Sequence, residues 1–300
     1  MAHEHNHFES ARAGNRKGLF LALAITTGIM LLEFFGGLFT NSLALISDSG
    51  HMLSDASSLL LSLVAIGFAG KAASANKTYG YYRFEILAAF FNGITLFVMA
   101  GFIIYEAFER FVEPEEIRGG WMLVIAVIGL LANVLSALAL HKSGDVHGNL
   151  NMKSAYVHVI GDALGSVGAI TGGLLILFFE WTIADPIVSV LVALLILKSA
   201  WGILQNSIHI LMEGTPATIH PEEAKALLKK IDGVLDIHDL HIWTITSGFD
   251  SFSCHLDVEA GADEQRVLQE AIGLIHDHFK IEHTTIQIEK VGLAHHHLKV

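Results

Sequence analysis

The chain has 300 residues, 52% of them hydrophobic and only 16% charged, with a formal net charge of −12 and a mean hydropathy of +0.53. Soluble domains carry about 25% charged residues, so this is the composition of a membrane protein, and the acidic balance argues against a nucleic-acid partner, which would call for a basic face. A lone cysteine, Cys254, excludes an internal disulfide framework and reads as an ordinary buried small residue.

Residues 1–17 form a polar and then basic segment in which His3, His5 and His7 are spaced by two. No cleavable hydrophobic signal precedes the first long apolar segment, which is expected to stay in the membrane. A helix needs about 20 apolar residues to cross a bilayer. Six such segments are read over 18–211, at roughly 18–40, 43–69, 84–110, 119–142, 148–179 and 184–211. The first carries Glu33, the second Asp48, His51 and Asp55, the fifth His158 and Asp162, and the sixth Asp185 at its mouth and Lys198 within. Glu33, Asn92 and Asn133 either border a polar cavity or bond between helices. Asp48 either lines an entrance or marks an interfacial helix start.

After Leu211 the composition changes to that of a small soluble module over 212–290, with residues 291–300 as a tail. Pro221, Glu222 and Glu223 read as a helix start, followed by Ala224, Leu227, Leu228 and Ile231 at helical spacing. Ile237–Ile245 and Phe252–Val258 alternate as strands around a Ser247-Gly248 turn. Asp263 opens a second helix through Phe279, and Thr284–Ile288 makes a third strand. The fold class predicted is an α-helical membrane protein with six transmembrane helices plus a C-terminal two-layer α+β domain of order α-β-β-α-β.

Basic residues set the orientation. With both termini inside, the inner flanks hold Arg12, Arg16, Lys17, Lys71, Lys77, Arg83, Lys142 and Lys153, and the outer flanks only Arg110 and Arg118. Both termini, and the soluble module, are therefore expected on the cytoplasmic side.

The chemistry concentrates in two His-x-x-x-Asp pairs inside spans, His51/Asp55 and His158/Asp162. An ionisable side chain near mid-bilayer costs about 2.5 kcal/mol or more, so such residues are functional candidates by default. Residues four apart share a helix face, so each pair aims an imidazole and a carboxylate at one point. Two such helices supply His2Asp2, an N/O set suited to tetrahedral Zn2+. Packed antiparallel, they would set His51 beside Asp162 and Asp55 beside His158, with two aspartates cancelling the ion's charge. Gly161, Ala163, Gly165, Ser166 and Gly168 permit close approach, and Ser54 and Ser58 offer supporting hydrogen bonds.

These residues resemble the cation diffusion facilitator family of proton-coupled zinc exporters, in particular its bacterial cobalt-zinc-cadmium resistance type. The resemblance spans essentially the full length and rests on NSLALISDSGHMLSDASSL, YGYYRFEILAAFFN, HVIGDALGSVG, ADPIVS, HDLHIWTI and TIQIE. It implies a homodimer in membrane lipid with six spans per protomer and a cytoplasmic ferredoxin-like domain. It also implies a transport site of His51, Asp55, His158 and Asp162, with zinc as substrate and protons as counter-ion. A His-first pair resembles the zinc-preferring branch, with export of mainly cadmium, cobalt or iron as the alternative. His238, His255 and Glu289 match the family's cytoplasmic metal site, with Gln287 alongside. His3, His5 and His7 offer accessory donors to it, ordinary surface histidines being the alternative reading for both sets. The loop Gly70–Tyr82 contains no His, Asp or Glu, so no metal is expected there. The absence of targeting signals and of a long loop insertion leans toward a bacterial inner membrane. Two other classes compete: a membrane metalloenzyme, against which stands the lack of a His-Glu-x-x-His motif, and a passive cation channel, for which a tight four-ligand site is poorly suited.

Overall fold

The computed structural model describes residues 23–68, 74–143 and 150–290, with side chains throughout except at 58, 59, 61–68, 136, 137, 139–143, 150–161 and 164. His3, His5, His7 and the tail lie outside the described residues, as do the side chains of His158 and Ser58. Six long helices come first: α1 (Leu23–Thr40), α2 (Leu43–Phe68), α3 (Arg83–Val112), α4 (Gly119–Ser143), α5 (Leu150–Phe179) and α6 (Ala184–Leu211). Among the described residues α1, α3 and α6 are long and apolar enough to cross a membrane outright, while α4 and α5 hold shorter apolar runs, Gly119–Leu135 and Gly165–Phe179. The sequences of α2 and of the first half of α5 carry the ionisable residues Asp48, His51, Asp55, Lys153, His158 and Asp162.

The helical region is built inside out relative to a soluble protein. Phe35, Phe91, Phe102, Phe108, Phe178 and Phe179 are exposed, while Glu33, Asp48, Asp162, Asp185 and a set of serines are buried. Apolar side chains facing outward and polar ones inward is the arrangement lipid demands. Leu96, Ala100, Ile103 and Ala107 of α3 pack with Val192, Ala193, Ile196 and Ala200 of α6. A second cluster joins Ala44 and Leu45 of α2, Met122, Ile125 and Ala126 of α4, and Ala169 and Ile176 of α5.

The remaining elements are α7 (Pro221–Leu228), β1 (Val234–Thr246), β2 (Phe249–Val258), α8 (Glu264–Phe279) and β3 (His283–Lys290). Pro221 starts α7, where its missing N–H costs nothing. The Asp263 side chain accepts from the Arg266 N–H to cap α8. The sheet order is β1-β2-β3, with β1 antiparallel and β3 parallel to β2. Alternation on β2 sends Phe252, Cys254, Leu256 and Val258 into a core shared with Ala224, Leu228, Val267, Ala271 and Ile275 of the two helices. Odd-numbered β2 residues, His255 among them, therefore face away from α7 and α8.

By its contacts the chain divides into two compact units, 1–67 with 88–204 and 68–87 with 205–300. The described residues 74–87, through the first turn of α3, thus fall with the C-terminal module. Within that unit Thr246 Oγ1 and Ser247 Oγ, at the β1–β2 turn, donate to the Glu85 carboxylate at 2.7 and 3.1 Å. Arg83 pairs with Glu213 at 3.2 Å, and Tyr82 meets Phe249 edge to face.

Candidate metal centres

In the helical unit, α2 places His51 and Asp55 one turn apart, with His51 Nδ1 3.3 Å from Asp55 Oδ2. Asp162, on α5, joins them: each of the three offers a ligand atom within 4.8 Å of the others. Asp162 is buried and the other two are half-buried. Three of the four predicted transport ligands are therefore brought to one point by two helices. The fourth, His158, lies one turn before Asp162 on α5, with its side chain outside the described set. An imidazole and two carboxylates from adjacent helices are a donor set that fits a zinc-class dication. Ser54 is buried beside them on α2. Small residues on α5 allow this approach: a Cβ placed on Gly165 would lie 2.6 Å from Asp48 Oδ1, so only glycine lets the helices come so close at that level.

The start of α2 is held by a device that the sequence does not announce. Ser42 Oγ accepts from the Leu45 N–H at 3.3 Å, the ordinary N-cap bond. The same hydroxyl donates to Asp185 Oδ1 at 2.5 Å, and Asp185 also accepts from the N–H groups of Leu43 (2.8 Å) and Ala44 (3.1 Å). Asp185 is the second residue of α6 and has no exposed surface. Its negative charge sits on the positive end of the α2 dipole. Arg110 Nη1 lies 3.9 Å from the same carboxylate and donates to the Asn41 carbonyl at 2.7 Å. Asp185 thus fixes the helix that carries His51 and Asp55.

In the C-terminal unit, His238, His255 and Glu289 also offer ligand atoms within 4.8 Å of one another. They come from three strands: His238 is paired directly with His255 in the β1–β2 ladder, and Glu289 is opposite Asp257 in the β2–β3 ladder. Glu289 is 2% exposed yet meets His255 Nδ1 at 2.8 Å and His238 Nε2 at 3.6 Å. Gln287 Nε2 donates to Glu289 Oε1 at 2.8 Å, so the residue expected alongside the site orients its carboxylate. Each imidazole has its other nitrogen near an aspartate: His238 Nδ1 is 3.6 Å from Asp257 and His255 Nε2 is 3.6 Å from Asp239. Carboxylates behind ligating imidazoles hold the rings in register and raise their basicity.

Asp239 and Asp257 were not anticipated as site residues. Asp239 sits where the β1–β2 register slips between His238 and His241, with a left-handed φ of 49°. A bulge of this kind re-aims side chains next to a site. It turns Asp239 toward His241 as well, and the hydrogen bond from that imidazole at 3.1 Å holds the Asp239 carboxyl below the usual carboxylate range. His276 and His278 lie apart from both centres, beside Asp277 and Glu223 respectively.

Comparison with known proteins covers nearly the whole chain. Residues 19–212 match the family model of the cation efflux transmembrane domain, and residues 216–291 match that of the cation efflux protein cytoplasmic domain. A cadmium, cobalt and zinc/H(+)-K(+) antiporter of Bacillus subtilis is 47% identical, over 98% of this chain and 93% of its own. The zinc transporter ZitB of Escherichia coli is 42% identical, over 96% of this chain and 93% of its own. The metal cation efflux system protein CzcD of Cupriavidus metallidurans is 41% identical, over 96% and 89%. A solved metal-bound C-terminal domain of that CzcD transporter matches at 36% identity, over 24% of this chain and 99% of its own, with a TM-score of 0.23. The helical and C-terminal matches together make this chain an integral-membrane cation transporter of the cation diffusion facilitator (cation efflux) family, and not an enzyme.

Proposed function

We infer that the protein exports Zn2+ from the cytoplasm of a bacterial cell in exchange for protons, working as a homodimer in the inner membrane. One observation carries the reading: His51, Asp55 and Asp162 converge from two helices inside the helical unit. His158, one helical turn from Asp162, completes a four-donor set in this proposal. Zinc binds neutral imidazole and ionised carboxylate, so metal and protons compete for the same atoms, and loading the site with metal releases protons. Exchange follows when the site is exposed alternately to the two sides. A proton moving inward gains about 2.3 kcal/mol per 100 mV of inside-negative potential, so each proton taken in offsets half of what a dication pays to leave against the same potential. The relatives named for cadmium and cobalt support a range of divalent ions, and the His-first pair supports zinc as the preferred one. The excess of basic residues on one set of loops supports cytoplasmic termini.

The C-terminal cluster is read as a separate cytoplasmic zinc site of His238, His255 and Glu289, with His3, His5 and His7 as accessory donors. Its two-nitrogen, one-oxygen set fits Zn2+ with one position left for a further ligand. Zinc there would draw the paired C-terminal modules together and bias the transport cycle.

The test is zinc-for-proton exchange in vesicles reconstituted with the full chain. Asp55→Ala or Asp162→Ala reduces exchange to background while the dimer persists. Undiminished exchange by either variant overturns the assignment.

A further inference from the structure

The transport reading leaves a buried carboxylate on α1 without a task. Glu33 is 1% exposed, and neither of its oxygens finds a hydrogen-bond partner among the described residues. Ser166 on α5 is in the same position: 1% exposed, with its Oγ unpartnered among the described residues. The two converge over the same spot on α4, since a Cβ added to Gly129 would meet Glu33 Oε1 and, at 3.5 Å, Ser166 Oγ. Asp48 oxygens rest against Gly165, the neighbour of Ser166.

Buried polar atoms in native proteins are satisfied, and each exception calls for a ligand or another specific explanation. A carboxylate and a hydroxyl turned to a common point without bonding each other both offer lone pairs to a third body. Charge points the same way. One dication on His51, Asp55 and Asp162 balances two aspartates and leaves Glu33 and Asp48 as two further acids in a low-dielectric interior, where one monovalent cation and one proton restore neutrality.

We propose that Glu33, Asp48 and Ser166 form an oxygen-only subsite for an alkali cation, distinct from the zinc ligands and occupied alongside them during exchange. The donor type selects the class, because carboxylate and hydroxyl oxygens without imidazole or thiolate suit hard cations over zinc. Enclosure selects within it. An ion buried here gives up its water, which Mg2+ does reluctantly and a monovalent alkali ion does at much lower cost. The subsite rests on the reading of this chain as a cation exchanger and adds a second, chemically different cation position to it.

Equilibrium dialysis of the purified full chain in lipid nanodiscs with rubidium-86, a stand-in for potassium, tests this directly. The parent protein binds about one rubidium per protomer, displaced by excess potassium. Glu33→Gln lowers that binding at least tenfold. Gly129→Ala, which keeps every donor but pushes a methyl group into the Glu33 carboxylate, does likewise, and Ser166→Ala weakens it several-fold. Asp55→Ala, which removes a zinc ligand, leaves rubidium binding within twofold. Undiminished binding in both Glu33→Gln and Gly129→Ala overturns the subsite, as does loss in Asp55→Ala alone. A parent protein with intact zinc-for-proton exchange and no saturable rubidium binding also overturns it, leaving a proton on Glu33 as the charge balance. Loss of zinc exchange selectivity or of the Asp55 and Asp162 phenotypes bears on the transport site instead, so the two readings fail separately.

Discussion

Replacing Asp185 with alanine tests whether the start of α2 governs the proposed transport site. The substitution removes three hydrogen bonds at once, from Ser42 Oγ and from the Leu43 and Ala44 N–H groups, at a site with no solvent exposure. Each backbone N–H left buried and unpaired costs about 1–3 kcal/mol. Arg110 loses one of its counter-charges but keeps Glu106 at 3.2 Å and Glu115 at 3.4 Å, so its own penalty is small. The total, on the order of 3–5 kcal/mol, matches the usual cost of breaking a buried charged contact. That corresponds to a fall in melting temperature on the order of 10 °C. Asp185→Asn keeps one oxygen acceptor for one of the two amides and is expected to lose about half as much. Because His51 stands only two turns from the frayed end, zinc affinity at the transport site is expected to drop about tenfold, the scale of a lost supporting contact. Thermal unfolding of the purified protein and zinc titration, run on parent, alanine and asparagine variants, read both effects. An alanine variant that melts within about 2 °C of the parent and binds zinc equally would refute the reasoning.

Changing His51→Asp replaces a nitrogen donor by an oxygen donor, and vesicle flux across a panel of divalent ions should show the preference for Zn2+ over Cd2+ relaxed; an unchanged ranking would remove the basis for naming zinc. Glu289→Gln keeps the shape of the cytoplasmic cluster but removes the charge between its two imidazoles, so zinc should no longer raise the melting temperature of the C-terminal unit, with affinity there lowered at least about tenfold. Burial pushes the Cys254 thiol up to about 12, so at pH 8 almost no thiolate is present and a maleimide should label it only as the domain unfolds; labelling of the folded protein at the rate of a free thiol would contradict the burial.

How much of this was written in the sequence depends on how far apart the partners lie. The long helices could be read because apolar length is a local property, and β2 because Phe252, Cys254, Leu256 and Val258 alternate with polar residues. Asp263 gave away the start of α8 by the same local logic, as the side chain that caps it. Asp185 was visible only as a residue at the mouth of α6, since the amides it caps are more than 140 residues earlier in the chain. The bulge at Asp239 carries no glycine to mark it, and its left-handed backbone is imposed by the strands around it. Glu33 stood out as an acid in an apolar segment, but that its neighbours are Gly129 and Ser166 is a fact of packing between three helices. The parallel pairing of β3 with β2 likewise depends on the crossover through α8, which sequence alternation alone does not set.

The placement of Glu289 on β3 has a bearing on how a newly made chain matures. His238 and His255 sit on one hairpin, closed by the short turn at Ser247-Gly248, and such local pairing forms early. Glu289 arrives only after α8 has been synthesised and β3 has threaded in parallel beside β2, a slower, non-local event. A polypeptide stalled or truncated ahead of β3 would present two imidazoles with no carboxylate between them. If this cluster is the zinc site proposed above, tight metal capture there waits until translation has passed the final strand of the sheet.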